Sequence, residues 1–255
     1  MTGNESDDEP LVLSSHALDA LKDFYAERDA HNKKFAELQS AAEARAAAGG
    51  APQQPLSMEA FTEDWNESQF WYSDETARLL AGQLLEGAGP EDTVAVVSAP
   101  SVFVALKNLV AERGPDAPAP PKMVLLEHDN RFAVFGDEFV FYDFVEPFKL
   151  PGNLKGAVTR IICDPPFLSE DCQTKAAMTV RWLAKPSPTL SSSSSSTSQN
   201  RLVVCTGERM EELVTRLYKS FGVRTTTYEP VHARGLSNEF YCYASFECGE
   251  WRWKA

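Results

Sequence analysis

At 255 residues the chain is long enough for one large α/β domain with an appendage, or for two small domains. Its 43% apolar and 24% charged residues are ordinary globular values, and no apolar run approaches the roughly 20 residues that span a bilayer. A net charge of −13 would repel a nucleic-acid backbone unless a local basic patch compensated, and it biases partners toward basic surfaces.

Residues 1–10 are acidic and polar, with no basic or apolar region of a secretory signal, so the cytoplasm is the expected compartment. The five cysteines are scattered without a Cys-x-x-Cys spacing and the four histidines are dispersed, so no metal site is expected. Cys163 and Cys205 sit inside apolar runs and should be buried reduced thiols.

Taken in order, residues 1–13 read as disordered. From 14 to 48 the composition is helical: Leu18, Leu21 and Tyr25 share one face, as do Phe35, Leu38 and Ala42. Ser14 or Ser15 could cap its start, and Gly49, Gly50 and Pro52 stop it, giving an N-terminal helical arm and linker over 14–60. A solvated amphipathic arm is favoured over a partner-binding helix. The segment 61–72 is dense in aromatics, after which Ser73 opens a helix to about residue 86, with Asp74 and Glu75 in its first turn. Residues 93–97 predict a buried strand and 102–112 a helix, with Ser98, Ala99, Pro100 and Ser101 between them. After a Pro-rich loop, strands follow over 123–126, 139–142 and 158–163, ending in the acids Glu127, Asp143 and Asp164 respectively. A helix over 170–184 leads to 186–200, a serine-rich stretch too polar to offset its ordering entropy and therefore read as a disordered insertion. A strand over 202–205, a helix over 208–221 and two antiparallel strands over 225–228 and 240–246 complete the chain. Alternating strands and helices imply a mostly parallel sheet, with three acids at one edge.

The chemistry is placed at Asp164-Pro165-Pro166-Phe167. Two prolines cannot continue a central strand, so a carboxylate, two carbonyls on rigid rings and an aromatic wall emerge together at the strand's C-terminal end, where ligands bind in open α/β sheets. A plain strand stop with Phe167 in the core is the competing reading. Glu127, after the second strand, is placed to accept from both hydroxyls of a ribose, against a solvated loop acid; Asp143 could accept from an adenine amino group. The turn Ser98-Ala99-Pro100-Ser101 has no glycine, which speaks against NAD or ATP and leaves room for a nucleoside cofactor without phosphates, such as S-adenosylmethionine.

Several motifs together resemble one family: Gln69-Phe70-Trp71-Tyr72-Ser73, Ser98-Ala99-Pro100-Ser101-Val102, the run from Phe132 to Asp143, Asp164-Pro165-Pro166-Phe167-Leu168-Ser169-Glu170, Cys205-Thr206-Gly207 and Asn238-Glu239-Phe240. The resemblance is to the eukaryotic lysine methyltransferases that modify translation elongation factor 1-alpha, formerly labelled N6-adenine methyltransferases. It covers about 63–246 and implies an α/β, Rossmann-like seven-stranded methyltransferase sheet with helices on both faces, over 61–255. It further implies S-adenosyl-L-methionine as cofactor, with Trp71 and Tyr72 in a lid and Ser98, Ala99, Pro100 and Ser101 under the methionine moiety. Glu127 would hold the ribose, and Asp164, Pro165 and Phe167 would face the acceptor nitrogen. The signature's aromatic is Phe167 where tyrosine also occurs, so no hydroxyl acts there, and neither the serine tract nor the arm inherits a role. The expected substrate is elongation factor 1-alpha and the expected state a monomer, away from nucleic acid and membranes. No general base stands out, so the lysine proton is expected to leave to water before closure. Two rivals stay open: an N6-adenine methyltransferase on DNA or RNA, which Asp-Pro-Pro-Phe would serve equally well, and a non-catalytic binding module.

Overall fold

In a computed structural model of the protein, residues 57–58, 61, 69–114, 116–186, 200–235 and 239–255 are described, with six further helical positions between 22 and 40. The expectations for 1–13, for the linker after residue 48 and for most of the serine-rich insertion lie outside the described residues, as does most of the arm.

Seven strands form one sheet: β1 (Thr93–Val97), β2 (Lys122–Glu127), β3 (Phe139–Phe141), β4 (Arg160–Cys163), β5 (Arg201–Gly207), β6 (Arg224–Thr225) and β7 (Phe240–Ala244). Their order is β3-β2-β1-β4-β5-β7-β6, parallel throughout except for β7, which runs against β5 and β6. Among the described residues, four continuous α-helices accompany them: α1 (Asp74–Leu85), α2 (Pro100–Ala111), α3 (Glu170–Leu183) and α4 (Glu211–Leu217).

The β-branched and apolar runs of the central strands are buried on both faces because each face carries helices. Strand side chains alternate: Val94 and Val96 join Leu80, Leu84, Val102 and Leu106 of α1 and α2 in one core. Ala95 and Val97 join Ala177, Val180 and Leu183 of α3 and Val214 of α4 in the other. Both long helices that follow a serine are capped by it: Ser73 accepts from the Thr76 amide and Ser169 from the Cys172 amide, each at 3.3 Å. Cys163 and Cys205 are buried free thiols.

Several element ends differ from the sequence reading: β4 starts at Arg160, β5 extends to Gly207 and β7 ends at Ala244, and three more differences stand out. Helix α2 starts at Pro100, two residues early, because proline suits the first helical position. The expected helix over 208–221 is broken into 3-10 turns at Glu208–Met210 and Lys219–Phe221 around a short α4. Strand β6 ends at Thr225: Thr226 still donates to the Cys242 carbonyl of β7 at 2.9 Å, but the next amide, of Thr227, goes to the Arg252 carbonyl at 2.8 Å, and Thr226 bridges Trp253 of the C-terminal segment. Among the described residues, no helix is long and apolar enough to cross a membrane.

Candidate active site

The register of the central strands decides where the loops leave. Val97 lies opposite both Leu126 and Cys163, so Ser98, Glu127 and Asp164 emerge side by side. The sheet order reverses here, since β1 separates β2 from β4, and such a switch point opens a crevice beyond the strand ends. A cleft of about 590 Å³ occupies it. All the residues singled out from the sequence border this cleft: Trp71, Tyr72, Ser98, Ala99, Pro100, Ser101, Glu127, Asp143, Asp164, Pro165 and Phe167.

The carboxyls of Glu127 and Asp164 are built differently. Glu127, at the end of β2, is 6% exposed, and its Oε1 accepts from the amides of His128 at 2.8 Å and Asp129 at 3.1 Å. Oε2 takes no hydrogen bond from the described residues. Burial pushes this carboxyl up to about 7 although the two amides pull it down. Asp164 is held by the Tyr72 hydroxyl, which donates to Oδ2 at 2.6 Å. Burial pushes Asp164 up to about 8, the Tyr72 hydrogen bond pulls it down and the Glu127 charge pushes it up further. Its Oδ1 has no partner among the described residues.

Ser98 has φ 56, the left-handed region that glycine usually occupies. The glycine expected of such a turn is therefore replaced by a strained serine, whose amide is tied to the Leu126 carbonyl at 2.9 Å. Helix α2 then begins with no side chain capping it, leaving its N-terminus toward the cleft. The segment carrying Trp71 and Tyr72 is pinned by backbone bonds: Ser73 donates to the Val231 carbonyl and Ala233 to the Trp71 carbonyl, both at 2.8 Å. The Trp71 indole is committed to packing, its N–H donating to the Phe61 carbonyl at 3.0 Å and its ring meeting Phe132 edge-on. Asp143 uses Oδ1 to fix its own turn, accepting from the Val145 amide at 2.8 Å. Gly207, closing β5, lets Leu168 approach; a Cβ there would meet that side chain at 3.0 Å, so glycine shapes the loop after Asp164.

Tertiary structure also brings in residues not singled out for the site. His232, Phe240, Phe144, Leu168 and Gln69 line the cleft. Burial pushes the His232 imidazole down to about 4, so it is neutral near pH 7 and stacks obliquely on Tyr72. Gln69 donates to Asp129 at 3.0 Å and accepts from Arg131 at 3.1 Å, locking the loop after β2 to the segment before α1. Gln69, Leu168 and Phe240 had a sequence signal, as members of the resembling motifs; Phe144 and the lone His232 had none.

The cleft thus presents three acidic side chains and two histidines, His128 and the neutral His232, with no lysine or arginine in its lining. A pyrophosphate would meet repulsion there, whereas a sulfonium cation and an amine would be attracted. The residues also fit a nucleoside: Glu127 keeps one oxygen for a diol, and the volume lies within the range of small-molecule sites, about 300–1,000 Å³.

Residues 63–248 match the model of a family described as probable N6-adenine methyltransferase. Protein-lysine N-methyltransferase EFM5 of Saccharomyces cerevisiae is 40% identical over 243 residues, covering 94% of each chain. EEF1A lysine methyltransferase 1 of Gallus gallus is 37% identical, covering 96% of this chain and 99% of its own. The Homo sapiens protein of that name is 35% identical, covering 95% of each. On that family match and those near full-length identities, the chain belongs to this methyltransferase family, and the relatives it is similar to carry the names protein-lysine N-methyltransferase EFM5 and EEF1A lysine methyltransferase 1.

Proposed function

We propose that the chain is an S-adenosyl-L-methionine-dependent protein-lysine N-methyltransferase acting on translation elongation factor 1-alpha, as a cytoplasmic monomer. Its catalytic domain spans 61–255, with 14–60 an appended arm. The observation that carries the reading is the pair of acidic side chains, buried Glu127 and half-buried Asp164, in a cleft whose lining has no lysine or arginine. When bound, the cofactor supplies an electrophilic methyl group on a positively charged sulfur.

Glu127 accepts from the ribose hydroxyls through Oε2 while its loop amides hold Oε1 in place. Asp143 takes the adenine amino group, and the turn from Ser98 to Ser101, at the open N-terminus of α2, receives the methionine carboxylate. Trp71 and Tyr72 close one wall. At the other end Asp164 accepts an N–H of the lysine through Oδ1, with the Tyr72 hydroxyl keeping Oδ2 out of competition. The Pro165 carbonyl and the Phe167 ring complete that slot. A carboxylate sited where positive charge develops stabilises the transition state, and donors fixed beforehand avoid reorganisation. A carboxyl that burial holds at about 8 gains strongly from an arriving cation, so its charge forms as the amine and sulfonium enter.

An N6-adenine acceptor would need a polyanion beside these carboxylates, and the charge of −13 weighs against it. The test is incubation of the purified chain with radiolabelled S-adenosylmethionine and, separately, elongation factor 1-alpha, DNA and RNA. Label on the elongation factor is the expected result; label on nucleic acid alone would overturn the proposal.

A further inference from the structure

Among the described residues, the large apolar side chains that stand exposed are Phe141, Val145, Phe148, Phe167 and Val231, 39% to 59% accessible. Scattered single residues of this kind are unremarkable on any surface. These are not scattered. Phe141 ends β3, Val145 and Phe148 lie in the loop that follows, Phe167 lies in the loop after β4, and Val231 lies between β6 and β7. Because β7 runs antiparallel to β5, with Gly207 opposite Phe240, that last loop opens on the same sheet edge as the others. All five therefore belong to the edge that holds the cleft, and their neighbours Tyr142, Phe144, Leu168 and His232 line it.

The loop after β3 is built to keep two of them outward. Asp143 accepts from the Val145 amide, Glu146 donates to the Asp143 carbonyl at 3.0 Å and Lys149 to the Glu146 carbonyl at 3.0 Å. Thr179 of α3 fastens the Pro147 carbonyl at 3.0 Å, while Phe144 and Leu150 pack inward. Val145 and Phe148 are thus presented on a fixed platform, not left behind by a floppy turn. Exposed apolar side chains gathered around a cleft mark an interaction surface.

Electrostatics select the occupant. The apolar rim is continuous with a cleft of three carboxylates, on a chain of net charge −13. At the same edge Glu208 and Glu239 face one another, and their mutual contact raises Glu208 above its usual range, a repulsion that an incoming cation would relieve. We infer that this rim is the docking surface for the acceptor protein, gripping apolar side chains that flank a basic, lysine-bearing segment. Val145 and Phe148 bind the flank while the lysine enters between Asp164 and Phe167. The inference rests on the lysine methyltransferase reading and adds where the substrate protein is held.

The test replaces Val145 and Phe148, neither of which lines the cleft, in the full-length chain as V145S and F148S together. With elongation factor 1-alpha as acceptor, KM should rise about tenfold or more, with kcat held within twofold and S-adenosylmethionine affinity unchanged. An unchanged KM would overturn the docking surface while leaving the function intact. So would a wild-type chain that sediments as a dimer and becomes monomeric in the double variant, which would give the face to a second copy. Failure of the wild-type chain to label the elongation factor is a separate result, and it would overturn the function and this inference together.

Discussion

Arg160 opens β4 and Arg201 opens β5, directly opposite one another at the N-terminal edge of the sheet. Two adjacent cations should repel, and burial with the neighbouring charge does lower Arg160. Both are held by the end of α1: Arg160 donates through one terminal nitrogen to the Glu86 carbonyl at 2.8 Å, and Arg201 to the Gln83 carbonyl at 2.7 Å and the Glu86 carboxylate at 2.8 Å. A helix C-terminus carries partial negative charge, so it compensates cations. The opposite edge holds Glu127 and Asp164 with no cation bonded to either, since the nearby Arg131 is paired with Asp129 at 2.6 Å, and burial raises the two carboxyls to about 7 and about 8. One edge consumes its charges internally; the other keeps them for something brought from outside.

Five measurements break or sharpen this contrast. Asp164→Asn should lower methyl transfer by about 100-fold or more, the size of a lost electrostatic contact at the reacting centre, with cofactor affinity changed little. Equal losses in turnover and cofactor binding would mean that the residue holds the cofactor instead. The same variant should make the free protein more stable at pH 8–9. An acid whose folded pKa is raised favours the fold below its unfolded pKa near 4 and loses that contribution as pH rises through about 8. The ledger between those limits is a few kcal/mol at most, and urea unfolding at pH 5 and pH 9 reads it.

Glu127→Gln keeps an oxygen for the His128 and Asp129 amides but turns a donor toward the diol. The cofactor Kd should rise about tenfold, measured by calorimetry, with kcat at saturation little altered. In the wild-type chain cofactor affinity should tighten between pH 6 and pH 8.5, and binding near pH 7 should release protons as Glu127 and Asp164 ionise beside a cation. Calorimetry in buffers of different ionisation enthalpy counts them; proton uptake would contradict the acid-lined cleft. At the other edge Arg201→Ala should cost about 1–2 kcal/mol of stability by denaturant unfolding, from lost hydrogen bonds and its contact over the Phe246 ring, with kcat unaffected.

Much of the fold was legible because the central strands carry unbroken apolar runs and the helices carry capping serines. Both signals are local and survive without a structure. The ends of β6 and of α4 were not legible, since Thr226 and the turns around Tyr218 answer to partners distant in the chain. Asp164 and Glu127 could be found because a strand that stops at an acid announces itself in one dimension. His232 could not: its role as a neutral wall depends on a backbone bridge to Tyr72, 160 residues away in sequence.

By itself the amino-acid sequence determined the parallel α/β frame, the acids at one strand edge and the Asp-Pro-Pro-Phe turn, because periodicity and proline geometry act over a few residues. Only the tertiary structure decided that those acids share a cleft lined by no lysine or arginine, that the Tyr72 hydroxyl holds Asp164, and that the exposed apolar side chains gather on the same edge. Desolvation and charge compensation depend on what surrounds a group in space, and that surrounding exists only once the sheet has set its register.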